Sequence, residues 1–364
     1  MDGQFELNFE LSKNPYMREK SDFARGLVAN TERETGENRT LSPLSYELAL
    51  MLLGLTTEGD SLNALEQAVG YKKSARPVEQ LQQLIAGFKT YVKGKDTDAE
   101  IEVSFGVASN SGLQLDEKAV DPVRDHLQAF WKEYDFKTEG QKAVQEINQW
   151  VAGTTKGKVK ELVTSIPDSA IFVLLNSLYL KASWFEPFKD RLTNKMKFRK
   201  SDGTSVDMQA MKSTRTFEYV DHTSFQAISL GLNSPDLVFW AIRPKVSIDE
   251  VYKVLSAQTL GSLFGSPSYE RVELSLPKFK FKTQMDLTQT LDALGMGVLR
   301  KSPNMDMSGF FEGKHDIVIS KVIQGSFFAL DENGIEAASA TAMMARAGSA
   351  PNRSQPHSAA VYVS

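Results

Sequence analysis

The sequence predicts a mixed α+β fold, and three observations carry that expectation. Helical spacings of apolar residues dominate the first half, and alternating or wholly apolar strand-like runs dominate the second. The two kinds interleave without the regular strand–helix–strand period of a parallel α/β sheet. With 364 residues, 41% of them hydrophobic and 24% charged, the chain has the composition of a soluble protein with a large core. The elements alternate too finely for a clean cut, so residues 1–364 are expected to form one domain.

Residues 1–40 are polar and end in ERETGENRT, a loop signal. Ser42-Pro43-Leu44-Ser45 then opens a helix, with Ser at the cap, Pro in the first turn and the apolar run YELALMLLGL after it. Gly59 and Asp60 break it, and Pro77 starts a second amphipathic helix, VEQLQQLIAGFKTYV. EIEVSFGVASN (100–110) alternates like a strand, and VQEINQWVAGTT returns to helical spacing. IFVLLNSLYLKASW, from Ile171, is almost wholly apolar, as a strand covered on both faces must be. Further on, TFEYV, SFQAISLGL, LVFWAI, RVELSLPKFKFKT and HDIVISKVIQGSFFALD read as strands, interrupted by helices at IDEVYKVLSAQTL and MDLTQTLDALGM.

A net charge of −4 argues against nucleic acid as the main partner. No apolar run reaches the length of a membrane span. The start mixes acidic and basic residues without an apolar core, so no secretory signal is read and a cytoplasmic location is expected, with release by an unconventional route as the alternative. Absence of cysteine removes disulfides, thiol catalysis and cysteine-based zinc sites together. G-x-G-x-x-G, H-E-x-x-H and G-x-S-x-G are all missing, and the basic turn Gly153-Thr-Thr-Lys-Gly157-Lys158 is one residue short of a phosphate loop. The four histidines sit singly in polar surroundings. No metal, cofactor or enzymatic activity is expected.

One segment fits none of these classes. DENGIEAASATAMMARA, from Asp331 to Ala347, is rich in small residues and follows an apolar strand-like run. Read at a two-residue period, its odd positions Ile335, Ala337, Ser339, Thr341, Met343, Ala345 and Ala347 carry no charge, whereas Glu336 and Arg346 fall on the even face. Alanine and methionine favour a helix or a loop here. The uncharged odd face leaves open a strand that forms conditionally, with that one face buried.

Five blocks in order resemble the serpin family of protease inhibitors. They are Ser42-Pro-Leu-Ser45 with ALMLLGL; Ile147-Asn-Gln-Trp-Val151 running to Thr155-Lys-Gly-Lys158; Asn176-Ser-Leu-Tyr-Leu-Lys-Ala-Ser-Trp184 with Pro187-Phe188; Leu276-Pro-Lys-Phe-Lys280 with Asp286-Leu and Leu294-Gly-Met296; and Glu332-Asn-Gly-Ile-Glu-Ala-Ala-Ser-Ala-Thr341. The resemblance implies three β-sheets, about nine helices and an exposed reactive-centre loop, here about residues 332–352. It implies a suicide-substrate mechanism, in which a serine or cysteine endopeptidase cuts the loop and is trapped when the loop inserts into the main sheet. The loop hinge would be Glu332, Gly334, Ile335, Glu336, Ala337, Ala338, Ser339, Ala340 and Thr341, with Ile335 where the family usually has Thr or Ser. Ser42, Ser45 and Asn176 match the shutter beneath the opening sheet, with Gln324 where a histidine is usual. Trp184 matches the breach, and Lys278 is expected to pair with Glu332 there.

Family spacing counted from Glu332 puts the reactive bond between Gly348 and Ser349, with Arg346 and Met344 as alternative bait residues. The expected partner is the target endopeptidase, with no nucleic acid and no membrane, and the chain is expected to be a monomer. The alternative is a non-inhibitory serpin that binds, carries or chaperones, or an inactive short isoform. Only 16 residues follow Gly348. The two apolar strands that normally end a serpin have no counterpart in them, so an exposed apolar groove and lower stability are expected.

Overall fold

The protein is described from a computed structural model, which covers residues 15–31, 38–70, 72–92, 97–113, 115–200, 203–234, 237–257, 265–301, 305–308, 311 and 317–347. Helix α1 (Pro15–Asn30) lies in the polar stretch 1–40, where the sequence reading placed no element. Its buried Phe23 and Leu27 are four residues apart, one helical turn, which is too short an apolar signal to stand out among charges. Helix α2 (Pro43–Thr56) starts as expected, with the Ser42 hydroxyl accepting a hydrogen bond from the Ser45 amide. Every residue from Ser45 to Thr56 is buried, so α2 lies in the core rather than on it. Gly59, at positive φ, begins helix α3 (Gly59–Val69) instead of only ending a helix. Helices α4 (Pro77–Val92), α5 (Glu117–His126), α6 (Phe136–Thr154), α7 (Ile248–Ala257) and the single turn α8 (Thr290–Ala293) complete the eight α-helices among the described residues.

The strands are β1 (Glu100–Asn110), β2 (Phe130–Tyr134), β3 (Ala170–Ser183), β4 (Asn194–Arg199), β5 (Ser205–Asp221), β6 (Phe225–Gly231), β7 (Val238–Pro244), β8 (Ser268–Pro277), β9 (Phe279–Asp286), β10 (Ile317–Leu330) and β11 (Gly334–Ala347). The main sheet has six strands in the order β2-β1-β3-β11-β10-β9, antiparallel except for the β1–β2 pair. The second has β4-β5-β6-β7, with β8 also paired to β5. Among the described residues, two hydrogen-bonded networks hold strands that the family resemblance assigns to three sheets. The cause is β5, which runs for 17 residues and pairs in turn with β4, β8 and β6.

RVELSLPKFKFKT, a single strand on sequence, is split at Pro277 and Lys278 between the two sheets. Pro277 has no N–H to continue a ladder, and the Lys278 N–H is taken by the Gln209 carbonyl at 2.8 Å.

Apolar layers cover both faces of the main sheet. On one face α2 packs under β3 and β11. On the other, α6 and the segment returning from it (155–166) cover β1, β3, β11 and β10 with Ile147, Val151, Val159, Leu162 and Val163. The return lies close: a Cβ at Gly325 of β10 would come within 3.3 Å of both Leu162 and Val159 side chains. In the second sheet Val238 and Tyr269 are exposed. The segment after Gly348, with the expectation attached to it, lies outside the described residues.

Candidate functional site

The expected exposed loop is, over Gly334–Ala347, a central strand. β11 pairs with β3 on one side and β10 on the other along its 14 residues, so its backbone groups are satisfied from both edges. Residues Ala338 to Ala345 are buried without interruption, on both faces. Sequence periodicity anticipated burial of the odd face alone. Met343 and Ala345 join the core on the α2 side, while Ala338, Ala340, Ala342 and Met344 join the core beneath α6. Tight cover by the α6 return explains why the even positions 338, 340 and 342 are alanine: a strand between two close-packed layers has no solvent face. Burial of Met343 and Met344 contributes about 1.5–3 kcal/mol each relative to an exposed loop, which outweighs the weak helical preference of the segment.

At the end where β11 begins, Asp331 accepts the Asn333 amide at 2.8 Å in a side-chain-closed turn. The Trp184 indole N–H donates to the Asp331 carbonyl at 2.8 Å, and the Trp184 and Phe188 amides donate to the Asn333 and Glu332 carbonyls. Glu332, 7% exposed, accepts hydrogen bonds from Thr193 at 2.7 Å and from the Lys278 ammonium. Burial alone would raise the Glu332 carboxyl, but those two donors outweigh it and hold it below the usual carboxylate range. Gly334 is dictated by space, since a Cβ there would sit 2.2 Å from the Ala182 carbonyl oxygen and 2.7 Å from the Ser183 Cα. Ile335 is buried among apolar neighbours that include Trp184 and Leu330.

At mid-strand the predicted residues Ser42, Ser45, Asn176 and Gln324 meet, and Thr341 of β11 completes their network. Gln324 Nε2 donates to Thr341 Oγ1 at 3.1 Å, and Thr341 and Ser45 hydroxyls lie 3.1 Å apart. Ser45 donates to Asn176 Oδ1 at 2.9 Å, and Asn176 Nδ2 donates to the Ser104 carbonyl at 3.3 Å. These contacts admit one consistent direction, from Gln324 through Thr341, Ser45 and Asn176 to Ser104. Gln324 also clamps the helix cap, its Oε1 accepting from the Ser42 amide at 2.8 Å and its Nε2 donating to the Ser42 carbonyl at 3.0 Å. No member titrates near neutral pH. Ser339 is matched in the same way by Ser326 at 3.0 Å, so both hydroxyls on the buried odd face have partners.

On the opposite face Glu336 accepts from Tyr179 Oη at 2.8 Å and from Lys158 Nζ at 2.6 Å. Burial would raise this carboxyl too, but the Lys158 and Tyr179 hydrogen bonds hold it below its ordinary value. Neither Lys158 nor Tyr179 emerged as a site residue from sequence. The available signal was Glu336 itself, a carboxylate among small and apolar residues that must be either solvated or paired.

At the far end Met344 is fully buried, with its carbonyl accepting from the Ser320 hydroxyl at 3.1 Å. Arg346 is half-buried and donates to the Ala347 carbonyl at 3.1 Å. Gly348 and Ser349 lie outside the described residues, as does the rest of the predicted loop to 352. No helix among the described residues is long and apolar enough to cross a membrane.

The main sheet thus holds a small-residue strand, β11, between its third and fifth members, above an N-capped buried helix. The chain belongs to the serpin family: the family model described as "Serpin (serine protease inhibitor)" matches residues 18–359. Serpin B6 of Macaca fascicularis is 28% identical over 328 residues, covering 88% of this chain and 86% of its own. Among solved structures, cleaved Serpin 42Da superposes with a TM-score of 0.81 at 23% identity, over 92% of this chain and 91% of its own. Reactive-loop-cleaved human thyroxine-binding globulin superposes with a TM-score of 0.80 at 22% identity, over 94% and 99%.

Proposed function

We propose that this serpin is a suicide-substrate inhibitor of a serine or cysteine endopeptidase. The observation that carries the reading is β11, which is accepted between β3 and β10 with both faces buried from Ala338 to Ala345 and both odd-face hydroxyls paired. A segment that only linked two elements would not need to fit there. In the proposed cycle the segment starts outside the sheet as bait. The protease serine or cysteine attacks the carbonyl carbon of the bait residue, the peptide C–N bond breaks, and the new amine leaves with a proton. The acyl-enzyme stays on the upstream side of the cut. Insertion of β11 then carries the enzyme to the far end of the sheet before water completes hydrolysis.

Burial argues against one of the alternative bait residues. An acyl-linked protease must hang beyond the inserted strand. Met344 is fully buried within it, which leaves no room for an attached enzyme. Arg346, half-buried, fits better than Met344, and Gly348 and Ser349 lie outside the described residues.

Trypsin-, chymotrypsin-, elastase- and cathepsin-like proteases, incubated with the protein, test the proposal. An SDS-resistant complex is expected with at least one, and sequencing of the cut gives the bond. Cleavage by all of them without any complex would overturn it. A second reading within the family is a non-inhibitory binding or carrier protein, beside which stands the fold likeness to thyroxine-binding globulin. That reading predicts cleavage or inertness with no covalent product.

A further inference from the structure

The return from α6 is stitched to each strand beneath it except β2. Lys156 pairs with Glu100 of β1 and lies 4.5 Å from the Tyr179 ring centroid on β3. Lys158 reaches Glu336 of β11 at 2.6 Å, and its ammonium is 5.1 Å from the Phe327 ring centroid on β10. The Leu162 carbonyl accepts from Gln284 of β9 at 2.8 Å. The central stitch differs from the others because its acceptor arrives on the segment that inserts. Two features show it is built rather than incidental. The Lys158–Glu336 pair is mostly shielded from water, with side chains 27% and 24% exposed, and the carboxylate is divided between two donors on two elements. The lysine is also held in place: the Thr155 hydroxyl donates to the Val151 carbonyl at 2.6 Å and accepts from the Val159 amide at 3.1 Å, which fixes the turn that presents it.

Without β11, its neighbours β3 and β10 would lie one strand spacing, about 4.8 Å, closer together. Lys158 would then stand over that seam with the Phe327 ring but without the Glu336 carboxylate.

We infer that Lys158 and Tyr179 are positioning residues for strand insertion, which capture the Glu336 carboxylate and so lock the α6 return down over an inserted β11. The inference rests on the inhibitory reading only for its kinetic consequence; the lock itself belongs to the inserted form. Glu336 is the third residue of β11, after Gly334 and Ile335, so the lock forms near the start of insertion and biases the race between trapping and hydrolysis.

The test compares the full chain with Glu336→Gln, Lys158→Glu, Glu336→Lys and the charge-swapped double variant Lys158→Glu/Glu336→Lys. Each is cleaved in the loop by limited proteolysis and unfolded in urea. Each single variant is expected to weaken the inserted form by about threefold to tenfold in its unfolding equilibrium, the size of a partly shielded charged hydrogen bond. The charge swap is expected to recover most of that loss, since the Tyr179 hydroxyl can accept from a lysine as readily as it donates to a carboxylate. Unchanged singles, or a double variant as weak as the sum of its singles, would overturn the inference. With a protease that forms the covalent complex, the singles should raise the fraction of inhibitor cleaved without trapping, by a similar factor. Absence of any complex from the unmodified protein would count against the inhibitory reading, while the urea comparison still decides the lock.

Discussion

Thr341→Val gives the sharpest measure of what the buried polar network does. Valine keeps the branched shape and volume of threonine and removes one hydroxyl, so packing of β11 is preserved. Two contacts of 3.1 Å disappear, one from Gln324 Nε2 and one to Ser45 Oγ. Gln324 retains its bonds to the Ser42 amide and carbonyl, and Ser45 retains its donation to Asn176. The loss is therefore one buried N–H left without its acceptor and one hydroxyl oxygen left without its donor. An orphaned buried polar group costs about 1–3 kcal/mol, and the under-used hydroxyl less, so the inserted form should lose about 2–3 kcal/mol. The assay is urea unfolding of the loop-cleaved protein, with a lower midpoint and an unchanged slope expected. Thr341→Ala serves as the companion, because it deletes a methyl as well as the hydroxyl. A silent Thr341→Val beside a costly Thr341→Ala would show that shape alone matters there, and the network argument would fail.

Gly334→Ala should obstruct the start of β11, because its Cβ would meet backbone atoms of β3 at 2.2 and 2.7 Å; strain of at least about 1–3 kcal/mol is expected, read as a reduced gain in thermal stability after loop cleavage. Ala340→Glu places a charge on the even face beneath α6, where Ala340 is fully buried, and should block insertion as completely as Ala337→Arg on the odd face; normal insertion by fluorescence-monitored melting would contradict burial of both faces. In acid, the inserted form should weaken. Both Glu332 and Glu336 are held below their ordinary values, so the stability they contribute is fully present above about pH 4.3 and is lost as pH falls through their folded-state values. Urea midpoints compared between neutral pH and pH about 3, with Glu336→Gln as the control that should lose less, check the sign. Between pH 6 and 8 the buried network around Gln324, which holds only amides and hydroxyls, contributes no pH dependence of its own.

Helices with caps or long apolar faces were legible in the chain, and so were the strands with continuous apolar character. Helix α1 was not, since its two buried residues, Phe23 and Leu27, are diluted by charge. The run around Pro277 was misleading for a different reason. Its strand propensity is uniform, and only the proline and the Lys278 amide bond to Gln209 divide it between two sheets. Among site residues, Ser42, Ser45, Asn176 and Gln324 were found by resemblance and are brought together by α2, β3 and β10. Thr193, Lys158 and Tyr179 were missed, because a partner for a buried carboxylate is selected by proximity across 139 to 178 positions of chain. No periodicity carries that information.

The segment from Gly334 to Ala347 separates the two levels most clearly. Sequence by itself determined that it could be a strand, through an odd face free of charge, a glycine at its head and small residues throughout. It also determined the composition that lets Ser339 and Thr341 be the only polar groups needing partners on that face. Sequence did not determine that the segment would be a strand, since alanine and methionine prefer a helix when left to local forces. Tertiary structure decided it. Two open edges, β3 and β10, supply backbone partners for the strand, and two apolar layers, α2 and the α6 return, cover its faces. Hydrogen bonding from both sides and burial from above and below are properties of the surroundings, and here they exceed the small per-residue preference that favoured the helix.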